Sequence, residues 1–435
     1  MNISVFFYAV LMCLTALACP LQAKVYIDIH SPSSTRLPIL VSPFRSTGSG
    51  QGKQQLAPAM ARVLSDDLDF SGFFRLLDPG AVDDACLRGI TASTIKWDAL
   101  SIIGAETIVT GGIRSDRPGA LSAELRLFDA VQGKFITGKK YSGSAGDHRI
   151  IMHRFADEIF RKLTGEKAIF TTRIAYVKSD GTKKEIYLMD YDGHGDAKFT
   201  RHGSLSLSPA WSPDGKHLAY TSYRDGNPDL YIQNTKTGVF KKMSRKKGIN
   251  IAPSWSPRGG KIALTLSLNN GNSEIYTLAV RNGKLERLTH NWATDVSPSW
   301  SPDENKIAFV SSRSGTPQVY CLDQKRGRIK RLTFEGNYNT SPAWSPRGEW
   351  IAYTGRTNGK FNLHRVSDDG QFTQQLTVNQ GNNEDPSWSP DGRCITFSSD
   401  RTGQKEIYIM RADGTGQKKV SHGPGEKADP AWSPL

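Results

Sequence analysis

One short motif, Pro-x-Trp-Ser-Pro, occurs six times in this sequence and constrains its fold more than any other feature. Its tryptophans are Trp211, Trp255, Trp300, Trp344, Trp388 and Trp432, separated by 44, 45, 44, 44 and 44 residues. Self-similarity at a fixed period indicates one structural unit per repeat. An apolar segment begins seven residues after each of the first five tryptophans, and two further short apolar segments follow after Gly-bearing turns. Four short strands in about 44 residues are typical of one β-propeller blade.

The two ends of the repeat region are incomplete and complementary. Only three residues follow Trp432, so the sixth repeat has a first strand and nothing more. Residues 174–177, 185–190 and 198–200 supply three strand-like segments with no motif before them. Together these fragments make one blade, which predicts a six-bladed ring closed by pairing of residues 429–433 with the strand at 174–178. Such closure removes the exposed edges that an open stack of blades would leave.

Residues 24–165 do not repeat. A helical pattern covers residues 54–68, and a second covers 147–163 and stops at Gly165. Strand-like segments lie at 25–29, 39–41, 108–110 and 123–128, with Gly111 and Gly112 expected to separate the last two. The mixture predicts a small α/β domain. We therefore expect an amino-terminal α/β domain at 24–165 and an all-β six-bladed propeller at 166–435.

The first 23 residues contain no charged side chain and are almost wholly apolar from Ile3 to Ala18. This pattern, with a small residue at Ala23, predicts a cleavable signal peptide at 1–23 and export of the mature chain. A lipoprotein-like cut before Cys19 is the alternative. Cleavage after Ala23 leaves three cysteines, Cys86, Cys321 and Cys394, which we expect to be buried free thiols.

Charge and motif content exclude several functional classes. The net charge is +14, and a basic run at 241–247 falls on an outer blade strand and the loop after it. That run lacks aromatic residues for base stacking, so we expect no nucleic-acid partner. The charge favours acidic partner proteins or anionic membrane surfaces. No Gly-x-Ser-x-Gly, phosphate-binding loop or His-Glu-x-x-His motif is present, and we expect no catalytic residue, metal or cofactor.

The remaining candidate site is the mouth of the ring. Loops that lead from an outer strand to the next motif strand border the central channel, so the residues before each motif are candidates for binding. Five residues before the tryptophans stand Ser206, Asn250, Asp295, Asn339, Asn383 and Lys427. Three residues before them stand Ser208, Ala252, Ser297, Ser341, Asp385 and Asp429. Small and polar groups at a channel mouth can accept a peptide segment or a loop. The tryptophans themselves are expected to pack between blades.

Three segments outside the blades carry a family resemblance. They are Arg-Leu-Pro-Ile-Leu-Val-Ser-Pro-Phe at 36–44, the junction at 153–175 with its Lys-Leu-Thr-Gly and Thr-Arg-Ile-Ala stretches, and the ending Pro-Ala-Trp-Ser-Pro-Leu at 430–435. With the blades, they make the chain resemble the TolB family, the periplasmic propellers of the Tol-Pal system of Gram-negative envelopes. The resemblance implies an α/β domain followed by a six-bladed propeller, and a non-enzymatic adaptor in the periplasm.

The resemblance also implies partners. It places the peptidoglycan-associated lipoprotein Pal at the propeller mouth, at positions aligned with Ile249, Asn250, Ala252, Val296 and Ser297. It places TolA, a protein anchored in the inner membrane, on a strand at the mature amino terminus formed by Lys24, Val25, Tyr26, Ile27, Asp28 and Ile29. Other envelope proteins are further candidate partners. The implied protein is a monomer that reaches membranes only through its partners and supports outer-membrane invagination during division and outer-membrane integrity.

Two alternatives to the adaptor remain open. The first is a secreted propeller enzyme, or a sensor of small glycans or peptides, that uses the central channel. An acid, a base or a metal converging in the channel would favour it. The second is a generic secreted scaffold, for which deletion of residues 24–35 would have no effect.

Overall fold

The computed structural model describes residues 36–47, 55–87, 89–114, 119–268 and 271–435. Contacts divide the chain into two compact units, one ending at Lys167 and the other running from Ala168 to Leu435. The predicted signal peptide and the predicted strand at 24–29 lie outside the described residues. Among the residues that are described, no helix has the length and apolar character needed to cross a membrane.

The first unit is built on a mixed six-stranded sheet. Its strands are β1 Leu37–Val41, β2 Arg45–Thr47, β3 Phe74–Leu77, β4 Thr107–Arg114, β5 Ala120–Asp129 and β6 Lys134–Ser144. The order is β3-β1-β4-β5-β6, and β2 also pairs with β4. Strand β1 runs parallel to β3 and β4, whereas β4, β5 and β6 form an antiparallel meander. Every residue of β1 is buried, as expected for a central parallel strand.

Three α-helices accompany this sheet: α1 Leu56–Ser71, α2 Trp97–Ile102 and α3 His148–Thr164, with 3-10 turns at Pro79–Ala81 and Ala145–Asp147. Both long helices were predicted from their apolar spacing, and α3 ends at Gly165, whose φ of 78° is the left-handed conformation that favours glycine. Buried Asp67 of α1 lies 2.8 Å from the Nδ1 atom of His153 of α3. This polar contact and the apolar faces hold the two helices together.

The prediction that Gly111 and Gly112 would end a strand is wrong, because β4 continues through both of them to Arg114. A Cβ atom on Gly111 would lie 2.6 Å from the ring of Phe44 and 2.9 Å from Leu125. Glycine is therefore required there for close packing, and its backbone remains in the ladder with β5.

The second unit is a ring of six four-stranded antiparallel blades. Blade 1 is β10 Ser206–Trp211, β11 His217–Ser222, β12 Asp229–Asn234 and β13 Phe240–Ser244; blade 2 is β14 Asn250–Trp255, β15 Lys261–Ser267, β16 Ser273–Ala279 and β17 Leu285–Arg287; blade 3 is β18 Asp295–Trp300, β19 Lys306–Ser311, β20 Gln318–Asp323 and β21 Arg328–Arg331. Blade 4 is β22 Asn339–Trp344, β23 Trp350–Thr357, β24 Lys360–Ser367 and β25 Thr373–Gln375; blade 5 is β26 Asn383–Trp388, β27 Cys394–Ser399, β28 Glu406–Arg411 and β29 Lys418–Lys419. Blade 6 is β30 Glu426–Trp432 with β7 Arg173–Ser179, β8 Lys184–Asp190 and β9 Ala197–Lys198.

Blade 6 confirms the predicted closure. Strand β30, from the end of the chain, pairs antiparallel with β7, and Trp432 lies opposite Ile174. Beyond the strand, the Ser433 N–H donates to the carbonyl of Arg173 at 2.8 Å, and the Arg173 N–H donates to the Ser433 hydroxyl at 2.9 Å. The last residues of the chain thus complete a sheet that begins about 260 residues earlier.

The motif tryptophans link neighbouring blades, as the sequence predicted. The indole N–H groups of Trp211, Trp300 and Trp388 donate to carbonyls of the preceding blade at 2.9–3.1 Å. The Trp344 indole N–H donates instead to the carbonyl of Gly348 in its own blade, at 3.0 Å. Five of the six tryptophans are buried, so their rings add apolar burial to the ring of blades. Cys321 and Cys394 are buried free thiols, whereas Cys86 is free but only half-buried.

Candidate functional site

Each motif strand contains an irregularity at the same position. The pairing register with the second strand shifts just before the motif Pro in all six blades. The residue three before each Trp takes a positive φ of 49–56°. Proline has no N–H to offer to the ladder, so the strand bulges there. These six bulge residues are Ser208, Ala252, Ser297, Ser341, Asp385 and Asp429.

The six bulge residues come together around one cavity of about 420 Å³ in the channel. The prolines that follow them complete most of the wall, and the side chains of Lys184 and Lys405 reach it from neighbouring strands and loops. All six bulge residues are half-buried. The structure thus brings this set of predicted residues together around one cavity, which we call the mouth cavity.

Two carboxyl groups in the mouth cavity, those of Asp385 and Asp429, interact electrostatically. Asp385 accepts a hydrogen bond from the Ser341 hydroxyl at 3.0 Å, and Asp429 accepts one from the backbone N–H of Ser208 at 2.7 Å. Burial, and then the charge of Asp385, raise the pKa of Asp429 to about 7. Burial, and then the charge of Glu384, raise the pKa of Asp385. The pair therefore tends to hold a proton and attracts cationic groups.

A lysine partly balances this negative charge. Lys405, in the loop between β27 and β28, contacts the carboxylate of Glu384 and lines the mouth cavity. Burial alone would lower the pKa of Lys405, but the hydrogen bond to Glu384 and the charges of Asp385 and Asp400 outweigh it and raise that pKa. The cavity is therefore polar and mixed in charge. Its acidic residues, Asp385 in blade 5 and Asp429 in blade 6, have two lysines beside them, Lys184 and Lys405.

The residues five before each Trp do not present side chains at the mouth. Ser206, Asn250, Asp295, Asn339, Asn383 and Lys427 are at most 2% exposed. The bulge between this position and the Trp changes the strand alternation, so these side chains turn into the blades. We therefore remove this set from the candidate partner contacts.

Several of these buried side chains clasp one blade to the next. The Asn339 amide donates to Gln318 of blade 3 at 2.8 Å. The Lys427 ammonium donates to Glu406 of blade 5 at 3.0 Å. Asn250 accepts from the Ser244 hydroxyl of blade 1 at 2.6 Å. We call these contacts blade clasps; they satisfy buried polar groups and hold the ring together.

Ile249 and Val296, placed at the mouth by family resemblance, are half-buried and are absent from the wall of the mouth cavity. Val296 pairs with Val310 inside blade 3, next to the bulge residue Ser297. The Ile249 N–H donates to the Ser267 hydroxyl at 2.9 Å, just before β14 begins. The structure therefore brings Ala252 and Ser297 to the cavity and leaves these two neighbours beside it.

The sequence analysis missed the convergence of Asp385 and Asp429. A signal existed, because the two residues occupy the same position in consecutive repeats and adjacent blades bring equivalent positions together. Lys184 and Lys405 were missed as well, and no spacing rule identifies them. At the far end of the channel, a second cavity of about 510 Å³ is lined by the motif tryptophans and the prolines that follow them in all six blades.

A six-bladed propeller with a polar cavity between its motif strands, preceded by a small α/β unit, defines the class of this protein as a β-propeller with a candidate binding cavity in its channel. The family model described as the TolB beta propeller domain matches residues 160–435, and the TolB amino-terminal domain matches residues 25–136. The chain belongs to the TolB family.

Relatives and solved structures agree with this assignment. The chain is 43% identical over 226 residues to the Tol-Pal system protein TolB of Desulfosudis oleivorans, covering 52% of this chain and 51% of that protein. It is 40% identical over 248 residues to the TolB of Syntrophus aciditrophicus, covering 56% and 55%. The chain thus spans about half the length of the curated relatives it matches. The crystal structure of TolB from Acinetobacter baumannii superposes with a TM-score of 0.79 at 27% identity, covering 95% of this chain and all of that one.

Proposed function

We propose that this protein is a non-enzymatic periplasmic adaptor of the Tol-Pal system that receives Pal at the mouth cavity. The observation that carries the proposal is the mouth cavity itself: six bulge residues line a half-buried, polar pocket in a chain whose family is TolB. A cavity of about 420 Å³ has the size to accept a loop or a few side chains of a partner. Its mixed charge suits polar contacts with a protein segment.

The second half of the proposal concerns the amino terminus. After export and cleavage at 1–23, residues 24–35 would be the first part of the mature chain. We propose that Lys24 to Ile29 forms a strand that binds TolA by adding to a sheet edge. An adaptor of this kind would couple Pal at the outer membrane to TolA at the inner membrane, and so support invagination during division and envelope integrity.

Calorimetric titration with the soluble Pal domain of the same cell tests the first half. Ala252→Arg and Ser297→Arg each place a long cation in the mouth cavity without touching a blade clasp. We expect Pal binding to weaken at least tenfold, about 1.4 kcal/mol, while the melting temperature stays unchanged. Asn282→Arg, on an exposed turn at the opposite end of the ring, is the matched control. Unaltered binding by both mouth variants would place Pal elsewhere.

Deletion of residues 24–35 tests the second half. We expect the deleted protein to lose TolA binding and to bind Pal with a changed affinity if the two sites are coupled. Pal affinity that is unchanged by the deletion, together with lost TolA binding, would keep both sites but remove the coupling. Full retention of TolA binding would refute the assignment of that segment.

An enzyme or sensor of short glycans or peptides is the second candidate, because Asp385 and Asp429 converge in the mouth cavity with raised pKa values. Paired carboxyl groups with shifted pKa values can act as acid and base. A short glycan or peptide that binds the channel and is lost in Asp429→Asn, in a protein that does not bind Pal, would replace the adaptor by this function.

A further inference from the structure

The loops around the mouth cavity differ sharply from one side of the ring to the other. Each loop leads into the motif strand of one blade, and the position ten residues before the Trp gives the simplest comparison. It is Arg201 and Arg245 in the loops entering blades 1 and 2, and Phe334 and Val378 in the loops entering blades 4 and 5. The rim is therefore basic in one arc and apolar in the arc that follows it.

The apolar arc consists of exposed side chains in three consecutive loops. Trp292, in the loop entering blade 3, is 82% exposed; Phe334 and Tyr338, in the next loop, are 66% and 39% exposed; Val378, in the third, is 56% exposed. Tryptophan and tyrosine carry a large share of the binding energy at protein interfaces. Four of the eleven exposed large apolar side chains among the described residues lie in these three consecutive loops.

The backbone of the Trp292 loop and the ring of Tyr338 are held in place before any partner arrives. The loop of Trp292 is fixed on both sides, since the Asn291 N–H donates to Glu274 at 2.9 Å and the Thr294 N–H donates to the Ser312 hydroxyl at 3.1 Å. The ring of Tyr338 packs edge-on against Phe361, with centroids 5.8 Å apart. Pre-organised anchors lose little conformational entropy on binding, which favours their use as contacts.

The basic arc holds cations that the described part of the chain does not neutralise. Arg245, Lys246 and Lys247 are exposed in the loop entering blade 2, and none of them forms an ion pair with the residues that the structure describes. By contrast, Lys242, only three residues earlier, is paired with Asp225 and Asp229. Uncompensated cations beside an apolar patch complement a surface that has acidic side chains beside an apolar one.

We propose that the rim is a two-part docking surface for a protein that presents an apolar patch flanked by acidic side chains. The loops entering blades 3, 4 and 5 contact the apolar patch, and the loops entering blades 1 and 2 contact the acidic side chains. The inference rests on the proposed function, because it describes the surface around the cavity assigned to Pal. A second copy of this chain fits poorly, since each copy carries a net charge of +14.

The first part of the test measures binding of the soluble Pal domain to two variants, each of which replaces three cationic residues by glutamate. The triple variant Arg245→Glu, Lys246→Glu, Lys247→Glu changes the basic arc. The control, Arg281→Glu, Lys284→Glu, Lys325→Glu, changes three exposed cations at the opposite end of the ring by the same amount. We expect the first variant to bind at least tenfold more weakly at low salt and to lose most of its salt dependence, while the control binds like the unaltered protein.

The apolar arm uses single truncations. Trp292→Ala and Phe334→Ala should each weaken binding about tenfold or more, whereas Phe372→Ala, which removes a 69% exposed ring at the opposite end, should not. The exposure of these side chains means that melting curves should stay unchanged.

The outcomes separate this inference from the function on which it rests. Pal binding that is unaffected by both arms overturns the docking surface and leaves Pal at the cavity. Failure of the unaltered protein to bind Pal contradicts the proposed function and the docking surface together. Sedimentation with anionic lipid vesicles provides the last arm. Vesicle binding that is lost in the basic-arc variant, with Pal binding intact, would assign the cations to a membrane surface and overturn the inference.

Discussion

Replacing Lys427 by methionine should weaken the propeller more than any other single change at a blade clasp. The Lys427 ammonium is completely buried and donates to Glu406 at 3.0 Å and to the carbonyls of Gly423 and Gly425 at 2.8 Å each. Methionine fills similar space but leaves the Glu406 carboxylate, only 3% exposed, without its counter-charge. Breaking a buried ion pair from one side costs about 3–5 kcal/mol. In a unit of this size that corresponds to a melting temperature lower by ~10 °C.

The ring itself supplies the control for this experiment. The Asn339 amide donates to Gln318 and to the carbonyl of Glu335, at 2.8 Å each, in the positions that Lys427, Glu406 and Gly423 occupy two blades later. The double variant Lys427→Asn, Glu406→Gln therefore rebuilds a neutral clasp that this protein already uses. We expect it to recover most of the stability lost in Lys427→Met, because no buried charge remains unpaired.

The pH dependence gives the sharpest check on the reasoning. Burial alone would raise the pKa of Glu406, but hydrogen bonds from Ser421 and Lys427 outweigh it and lower that pKa. A carboxyl group whose pKa is lowered by folding contributes stability above its unfolded pKa and loses it as the pH falls. In Lys427→Met the contribution of Glu406 to stability has the opposite pH dependence: stability rises as the pH falls, because protonation of Glu406 removes the unpaired charge. Denaturant unfolding followed by circular dichroism should therefore show that the difference in unfolding free energy between the unaltered protein and Lys427→Met becomes smaller from pH 7 to pH 5. A difference that is constant or widens on acidification would refute the buried-charge explanation.

Three further predictions concern closure, the channel and the first unit. Deleting residues 429–435 removes most of the strand that closes blade 6 and should lower thermal stability sharply; an unchanged melting curve would argue against closure by this segment. Because folding raises the pKa of Asp429 to about 7, stability should fall as the pH rises from about 4 to 8. Asp429→Asn should flatten this dependence of the unfolding free energy on pH in urea titrations, and equal slopes in the two proteins would contradict the raised pKa of Asp429. Gly111→Ala should destabilise the first unit by about 1–3 kcal/mol, whereas Gly112→Ala, whose new methyl would lie 3.4 Å from the nearest atom, should cost less in the same measurement.

The sequence predicted the ring because the number of blades follows from the number and spacing of the repeats. A motif repeated at a near-constant spacing specifies identical units, and the leftover strands at the two ends of the repeats have only each other to pair with. The pairing of β30 with β7 followed from that arithmetic, with no knowledge of any individual contact. The helices α1 and α3 followed similarly from apolar spacing and, for α3, from the glycine that ends it.

The candidate site was predicted only in part, because it depends on local backbone geometry. Simple strand alternation treats the positions five and three before the Trp as equivalent neighbours of the channel. The bulge at the motif Pro separates them. Ser297 turns into the mouth cavity, while Asp295, two residues earlier, is buried against Arg313 at 2.8 Å. A bulge is defined by the backbone angles φ and ψ, and the pattern of polar and apolar residues in the sequence does not specify those angles.

The structure also explains where partner specificity can vary in a propeller of this kind. The motif position and the position five before it are committed to joining blades, as Trp388 and Lys427 illustrate. The bulge position holds Ser, Ala or Asp at a positive φ and lines the mouth cavity. Most residues six to ten before the Trp are exposed or half-buried, and there the chain places arginine in one loop, tryptophan in another and phenylalanine in a third. A new partner can therefore be selected on the rim at little cost to the ring, which is why the rim variants should change binding and leave folding untouched.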